Sequence, residues 1–360
     1  MGGALIEVSG QKLSKAELLK NIEEGLIPDD ELRRLMRGEL AKRIQWGYKP
    51  THEQQVAQAI NFAHSLRKMK IANEAETLVE EVYEMPMSFL RLMLGPTLKL
   101  SCLYFKNEFT TLEQAEIDTM DMYCKRAGIQ DGMSILDLGC GQGSLTLHIA
   151  HKYKNCRITA LTNSASQKGN IEDQCKLQNL PNVKVILADI ANFDMDETFD
   201  RVMVIELFEH MKNYALLLKK MAKWMSSDGL LFVDTLCQKT FPYHFDPIDE
   251  DDWYTNLLFT PGTSILPSAS FLLYFQDDVS IANHWTISGK HFSRTNEEWL
   301  KRIDGQVNEI RAVLKSFLGT EKGVEKLINY WRGFCLSGME MFGYDNGEEW
   351  MTAHYLFRKK

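Results

Sequence analysis

The sequence predicts an α/β fold, a doubly wound parallel sheet covered by helices, and three observations carry that prediction. Short apolar runs alternate with helical runs across residues 115–235. The first of those runs, Ser134-Ile135-Leu136-Asp137-Leu138, ends in a glycine-rich turn that opens a helix. Far downstream, residues 350–358 alternate in character and read as a late antiparallel strand on the same sheet.

In chain order, residues 10–80 read as helical. Ser14 and Glu17 resemble a capping box before AELLKNIEEGL. Asp29-Asp30 precede ELRRLMRGELAKRIQWGY, whose apolar residues recur at three- and four-residue spacing. Pro50-Thr51 opens a third helix through HEQQVAQAINFAHSLRKM. Periodicity shows a buried face but not its partner. Segment 1–114 therefore reads as a helical cap that serves solubility or dimerisation, or else faces a substrate.

The core, 115–235, places strands at 134–138, 157–161, 183–188, 200–205 and 229–235. Helices over 145–153, 165–178 and 214–225 alternate with them, the rhythm of a parallel sheet. The last segment, 236–360, is crowded with aromatics in FPYHF, DDWYTNLLF and FLLYF. Helices are expected over 296–317 and 321–342, before the final strand. This segment reads as substrate-binding helices and the strands that complete the core sheet.

Composition narrows the function. With 360 residues, 44% of them hydrophobic, the chain can bury a sizeable core. A net charge of -8 supplies no field for phosphates, so a nucleic-acid partner is not expected. No run of about 18 apolar residues occurs, so no membrane span is expected. The first residues lack the layout of a secretory signal, and Ile6 stands where a myristoylation signal wants Ser or Thr. Seven scattered cysteines without a CxxC pair suit a reducing cytoplasm better than zinc or disulfides. The nine histidines form no metal pattern, and no metal is expected.

The strongest local signal is Leu136-Asp137-Leu138-Gly139-Cys140-Gly141-Gln142-Gly143. Gly139 and Gly141 let the backbone turn sharply and approach a ligand. A dinucleotide fingerprint would need glycine at 144, which is Ser. Asp137, two residues before the first glycine, suits a cationic, phosphate-free ligand such as S-adenosylmethionine. A tight turn alone would also explain the glycines. Asn163 and Gln167 follow the second strand, where a ribose would be held, without the acidic residue common there. Asp189-Ile190 ends the third strand, placed for an adenine amino group.

The fourth strand ends Val204-Ile205-Glu206 and continues Leu207-Phe208-Glu209-His210. If that turn is helical, Glu206, Glu209 and His210 share one face. Glu206 or His210 could take a proton from an amine nucleophile, and Glu209 could tune His210 or face a cation. The alternative is a helix start whose acidic residues favour its dipole.

LDLGCGQGSL, TNSASQK and IELFEHMKNY together resemble the cyclopropane-fatty-acid-synthase-like methyltransferases. More narrowly they resemble the plant benzylisoquinoline alkaloid N-methyltransferases, and QWGYKPTHEQQ, YFKNEFTTLEQAE and NYWRGFCLSGMEMFGYDNGEEW extend the likeness along the chain. The resemblance implies a Rossmann-like class I S-adenosylmethionine-dependent methyltransferase with an N-terminal helical segment and helical, aromatic substrate-binding insertions. It implies methyl transfer to the ring nitrogen of a tetrahydroisoquinoline alkaloid such as coclaurine, with S-adenosylhomocysteine as product. Tetrahydroprotoberberine, pavine or reticuline-type amines are the alternative acceptors, and an acyl lipid is a further one. The family's E-x-x-E-H motif carries onto Glu206, Glu209 and His210. Its S-C-x-Y-F stretch carries onto Ser101 and Tyr104 as cofactor contacts. The other cofactor positions carry onto Asp137, Gly139, Gly141, Asn163, Gln167, Asp189, Ile190 and Ile205. Cys335 matches the family's late F-C motif and reads as structural.

One stretch departs from the family pattern. Where the plant group has E-H-x-C-H-K, this chain has Asp234-Thr235-Leu236-Cys237-Gln238-Lys239, which would alter acceptor preference if that strand end lines the pocket. Aromatic residues would enclose a flat cation by stacking and cation–π contact. The candidates are Tyr83, Phe259, Tyr330, Trp331 and Phe334, with Trp331 and Phe334 on one helical face. A homodimer is compatible with the long helical N-terminal segment.

Overall fold

The computed structural model describes residues 5–72, 85–258 and 262–360. A hairpin of β1 (Ile6–Val8) and β2 (Gln11–Leu13) comes first. It is followed by α1 (Lys15–Glu23), α2 (Asp29–Gly47), α3 (His52–Leu66), α4 (Met87–Met93) and α5 (Leu112–Ala127). Next are β3 (Ser134–Leu138), α6 (Ser144–Lys152), β4 (Arg157–Thr162), α7 (Ala165–Leu177) and β5 (Val183–Leu187). Then come β6 (Phe199–Ile205), α8 (Tyr214–Trp224) and β7 (Met225–Gln238). The last stretch holds β8 (Tyr243–His244), α9 (Tyr254–Leu258), β9 (Ile265–Leu266) and β10 (Val279–Ile287). It closes with α10 (Lys290–Gly305), α11 (Val307–Leu318), α12 (Glu321–Gly343) and β11 (Trp350–Lys359).

Local chemistry sets several of these boundaries. Ser14 and Glu17 close a reciprocal capping box on α1. The Thr51 hydroxyl accepts from Gln54 N–H at the start of α3. Gly128, at φ +63°, ends α5 in the left-handed region that glycine enters without strain.

The seven-stranded sheet has the order β10-β11-β7-β6-β3-β4-β5. It is parallel from β7 to β5 and antiparallel across β7, β11 and β10. Side chains alternate between its faces. Leu136, Leu138, Val202 and Val204 join one apolar cluster, while Ile135 and Met203 join the cluster on the other side. A further cluster fills the space between the N-terminal helices and α10 and α12.

Two expectations are corrected. The helical reading from residue 10 fails at 11–13, which pair with β1. The helix expected over 296–317 begins at Lys290 and breaks between Gly305 and Val307, where Gln306 leaves helical geometry and its amide donates to Leu92 O at 2.8 Å. Strand β10 joins the sheet at its edge, where a register shift between Ile281 and Asn283 disturbs the alternation.

Candidate active site

Strand β3 has β4 on one side and β6 on the other, so the chain leaves the sheet in opposite directions around it. A crevice at the carboxyl ends of the strands follows from that reversal. A cavity of about 320 Å³ opens there, lined by Asp137, Gly139 and Gly141 on one side and Glu206, Glu209 and His210 on another.

The glycine turn is built for close approach. Gly139, Gly141 and Gly143 take φ values of +69°, +53° and +85°. A Cβ at Gly143 would lie 2.6 Å from Ile171 Cγ1, so the turn can press against α7 only with glycine there. Asp137 is buried and its Oδ2 accepts from the Thr146 hydroxyl at 2.6 Å. Burial pushes that carboxyl up to about 6, against the hydrogen bond that favours its charge.

The remaining cofactor candidates mostly converge. Ser101, Asn163, Gln167, Asp189, Ile190 and Ile205 all line the same cavity. Gln167 Oε1 accepts from the Thr162 hydroxyl at 2.6 Å, which fixes the amide. Asp189 turns its oxygens onto its own loop, accepting from Ala191 N–H at 2.8 Å and the Asn192 amide at 3.0 Å. Tyr104 is not brought in. It lines a small separate crevice, its ring packs at a tilt against His291 with centroids 4.6 Å apart, and its N–H is taken by the Thr119 hydroxyl.

Glu206 follows β6 directly at φ +48°, a strained conformation for a glutamate. Its N–H donates to Asp234 O at 2.8 Å, and its Oε1 accepts from Cys102 N–H at 2.7 Å. Glu209 sits on a single 3₁₀ turn, Phe208–His210, and its Oε1 accepts from Leu236 N–H. Its Oε2 is buried without a partner. The shared helical face expected for the three residues is corrected, because Glu206 lies before the turn, in left-handed geometry. The helix-start alternative is corrected too, since α8 begins only at Tyr214, capped by Asn213.

Burial dominates the electrostatics. It holds Glu206 well above the carboxylate range, with the Asp234 charge adding to it. It pushes Glu209 up to about 8. It pulls His210 down to about 4, with Lys212 adding to the effect, so the imidazole is neutral at physiological pH. A cation entering the cavity would therefore favour the ionised form of these carboxyls.

The opposite wall is apolar. Phe334 lines it as expected, but Trp331 does not. Trp331 is fully buried behind it, 5.4 Å from the Phe334 ring and 5.6 Å from Phe89. Tyr330 does not line the cavity either. Tyr83 and Phe259 lie outside the described residues. Sequence reasoning missed Phe245, Phe292, Trp299 and Phe342, which do line it. Phe292 and Trp299 stand seven apart in HFSRTNEEW, a helical spacing that could have flagged them. Residues 1–114 contribute Leu90, Leu94, Leu98 and Lys99, so that segment faces the cavity directly.

The two altered positions of the strand end do not line the pocket. Thr235 and Gln238 are both fully buried, and only Leu236 between them reaches the cavity. Gln238 fastens a loop, donating to Glu349 Oε2 at 2.8 Å and accepting from Phe241 N–H at 2.7 Å. Cys335 is buried, and burial pushes its thiol far above the ordinary value. Among the described residues no His, Cys, Asp or Glu group forms a metal site.

The sequence profile of the mycolic acid cyclopropane synthetase family matches residues 70–331. The chain belongs to that family. Within it, the chain is one of the plant benzylisoquinoline alkaloid N-methyltransferases, which use S-adenosylmethionine. The (S)-coclaurine N-methyltransferase of Thalictrum flavum subsp. glaucum is 60% identical, over 98% of this chain and 98% of that one. The pavine N-methyltransferase of the same plant is 52% identical, over 97% and 98%. A crystal structure of coclaurine N-methyltransferase bound to N-methylheliamine and S-adenosylhomocysteine superposes with a TM-score of 0.95, at 62% identity, covering 96% of this chain and 99% of that one. The left-handed glycines, the carboxylate oxygens and the absence of a dinucleotide fingerprint fit the cofactor of this N-methyltransferase group.

Proposed function

We propose that this N-methyltransferase acts on the ring nitrogen of a tetrahydroisoquinoline alkaloid such as coclaurine, a secondary amine. The observation that carries the reading is one cavity shared by the glycine turn, the half-buried Glu206 and buried Glu209 carboxyls, and an aromatic wall. Asp137, Gly139, Gly141, Asn163, Gln167, Asp189 and Ile190 would hold the cofactor, with Ser101 and Ile205 beside them. When bound, it supplies a methyl group on a cationic sulfur that leaves as a neutral thioether.

An amine attacks only with its lone pair free, so the acceptor must first lose a proton. Glu209 takes it on its unpartnered oxygen, and burial gives it the basicity for that transfer. Glu206, held by Cys102, stabilises positive charge at the nitrogen. His210, neutral and poorly basic, orients the amine rather than deprotonating it. Phe334, Phe292 and Trp299 stack on the ring system and exclude water.

The same reading assigns residues 115–235 mainly to the cofactor and 236–360 mainly to the acceptor, with 1–114 closing the cavity. It places the protein in the reducing cytoplasm, where its seven free thiols would persist, with no nucleic-acid partner. Among the described residues no helix is long and apolar enough to cross a membrane. A homodimer through the N-terminal helices completes the reading, and light scattering tests it.

The test of acceptor choice is turnover by mass spectrometry on coclaurine beside a tetrahydroprotoberberine, a tertiary amine. One added methyl on coclaurine alone supports the reading. Preferential methylation of the tertiary amine overturns it in favour of quaternary-ammonium chemistry.

A further inference from the structure

Lys99 is the one lysine or arginine among the described residues that line the cavity. It is only 3% exposed. Its ammonium donates to the Ser101 hydroxyl, to Cys102 O at 3.2 Å and to the Tyr123 hydroxyl at 3.3 Å. None of these partners is charged at neutral pH. A desolvated ammonium held by neutral groups is costly, and it persists only where its surroundings fix it.

The strap that carries Lys99 is fixed at both ends. Thr97 N–H donates to Glu116 Oε2 at 3.1 Å, and Leu103 N–H donates to the Thr295 hydroxyl at 3.1 Å. Between them Leu98 takes φ +60°, a left-handed conformation that a leucine adopts only under constraint. Two partners of the ammonium lead straight to carboxylates. The Tyr123 hydroxyl donates to Asp234 Oδ2, and Cys102 N–H donates to Glu206 Oε1 at 2.7 Å.

We propose that Lys99 is a positioning residue for methyl transfer: its charge, one hydrogen-bonded residue away from both Glu206 and Asp234, favours the ionised form of the carboxyl cluster and holds the Ser101-Cys102 strap against Glu206. The proposal rests on the roles given to Glu206 and Glu209 above. The ionisable groups packed around Glu206 are Asp234, Glu209, Cys102, Tyr123 and Lys99, with His354 behind Asp234. Arg126 reaches only the far nitrogen of His354, at 2.6 Å. Among these groups Lys99 is the cation that faces the cavity. A nearby ammonium in a poorly screened site favours the charged form of an acid. Without it, the cluster would hold its protons to still higher pH and leave less carboxylate to receive the amine proton.

Lys99→Gln removes the charge and keeps a polar partner for the strap, Lys99→Met removes both, and Lys99→Arg keeps the charge. The readout is kcat against pH at saturating S-adenosylmethionine and coclaurine, across the neutral and alkaline range. In Lys99→Gln and Lys99→Met the rising limb should move upward by roughly one pH unit, with kcat at neutral pH lowered roughly tenfold. Lys99→Arg should return the limb toward the wild-type position. A neutral variant that is slow but whose limb stays in place overturns the proposal and leaves Lys99 a packing residue. A wild-type protein that does not methylate coclaurine overturns instead the reading on which the proposal rests.

Discussion

The backbone N–H of Cys102 donates to Oε1 of Glu206 at 2.7 Å, joining residues 104 positions apart in the chain. The N-terminal segment thereby touches the proposed reacting centre. Through this bond the strap ahead of the core fixes one oxygen of a carboxylate that left-handed backbone geometry already aims. The following expectations come from that arrangement.

Glu209 makes stability fall with pH. Its folded pKa, about 8, lies above an ordinary carboxyl value, so the folded state binds the extra proton between roughly pH 4.5 and 8. Stability from this group is full below that window and is lost as pH rises through it. His210 has the opposite sign: its folded pKa, about 4, is depressed, so its contribution is lost as pH falls from about 6.5. Above pH 6.5 the Glu209 effect stands unopposed by His210. Denaturation of the ligand-free protein there should show a falling slope of up to about 1.4 kcal/mol per pH unit, flattened in Glu209→Gln.

Gly143→Ala should disturb both fold and cofactor site. The new Cβ would meet Ile171 at 2.6 Å in a conformation, φ +85°, that alanine resists. A loss of about 1–3 kcal/mol by denaturant titration is expected, together with weaker S-adenosylhomocysteine binding by calorimetry. Normal stability with normal affinity would contradict the account of the turn.

Phe334 and Trp331 should behave differently although they share a helix. Phe334→Ala removes a cavity-lining ring and should raise the KM for the alkaloid roughly tenfold while leaving cofactor affinity unchanged. Trp331→Ala empties a fully buried site behind it and should cost about 3–5 kcal/mol of stability. Parallel kinetics and thermal melts separate the two.

Gln238→His should change stability and leave acceptor choice alone. The amide's bonds to Glu349 and Phe241 hold a loop, and the side chain does not reach the cavity. A lower melting temperature with an unchanged ranking of alkaloid substrates is expected. A changed ranking would place that strand end in substrate selection after all.

What the sequence made legible was mostly local. Ser134–Leu138, its glycine turn and the Ser14 capping box depend on neighbours in the chain, and they appear where spacing places them. Burial depth is not periodic. Trp331 and Phe334 share a helical face, yet one fills the core and the other meets the cavity, because α4 brings Phe89 over Trp331. Lys99 was silent for a related reason: its place in the site comes from packing between segments far apart. Strand β10 escaped notice because its alternation is broken by a register shift.

The central claim is that a buried carboxylate takes the amine proton before methyl transfer. Its most direct measurement is coclaurine turnover by wild type and Glu209→Gln, with S-adenosylhomocysteine affinity measured on both. The account predicts that kcat falls by about 10²-fold or more in the variant while cofactor affinity stays within about twofold. Equal kcat for the two proteins would contradict it.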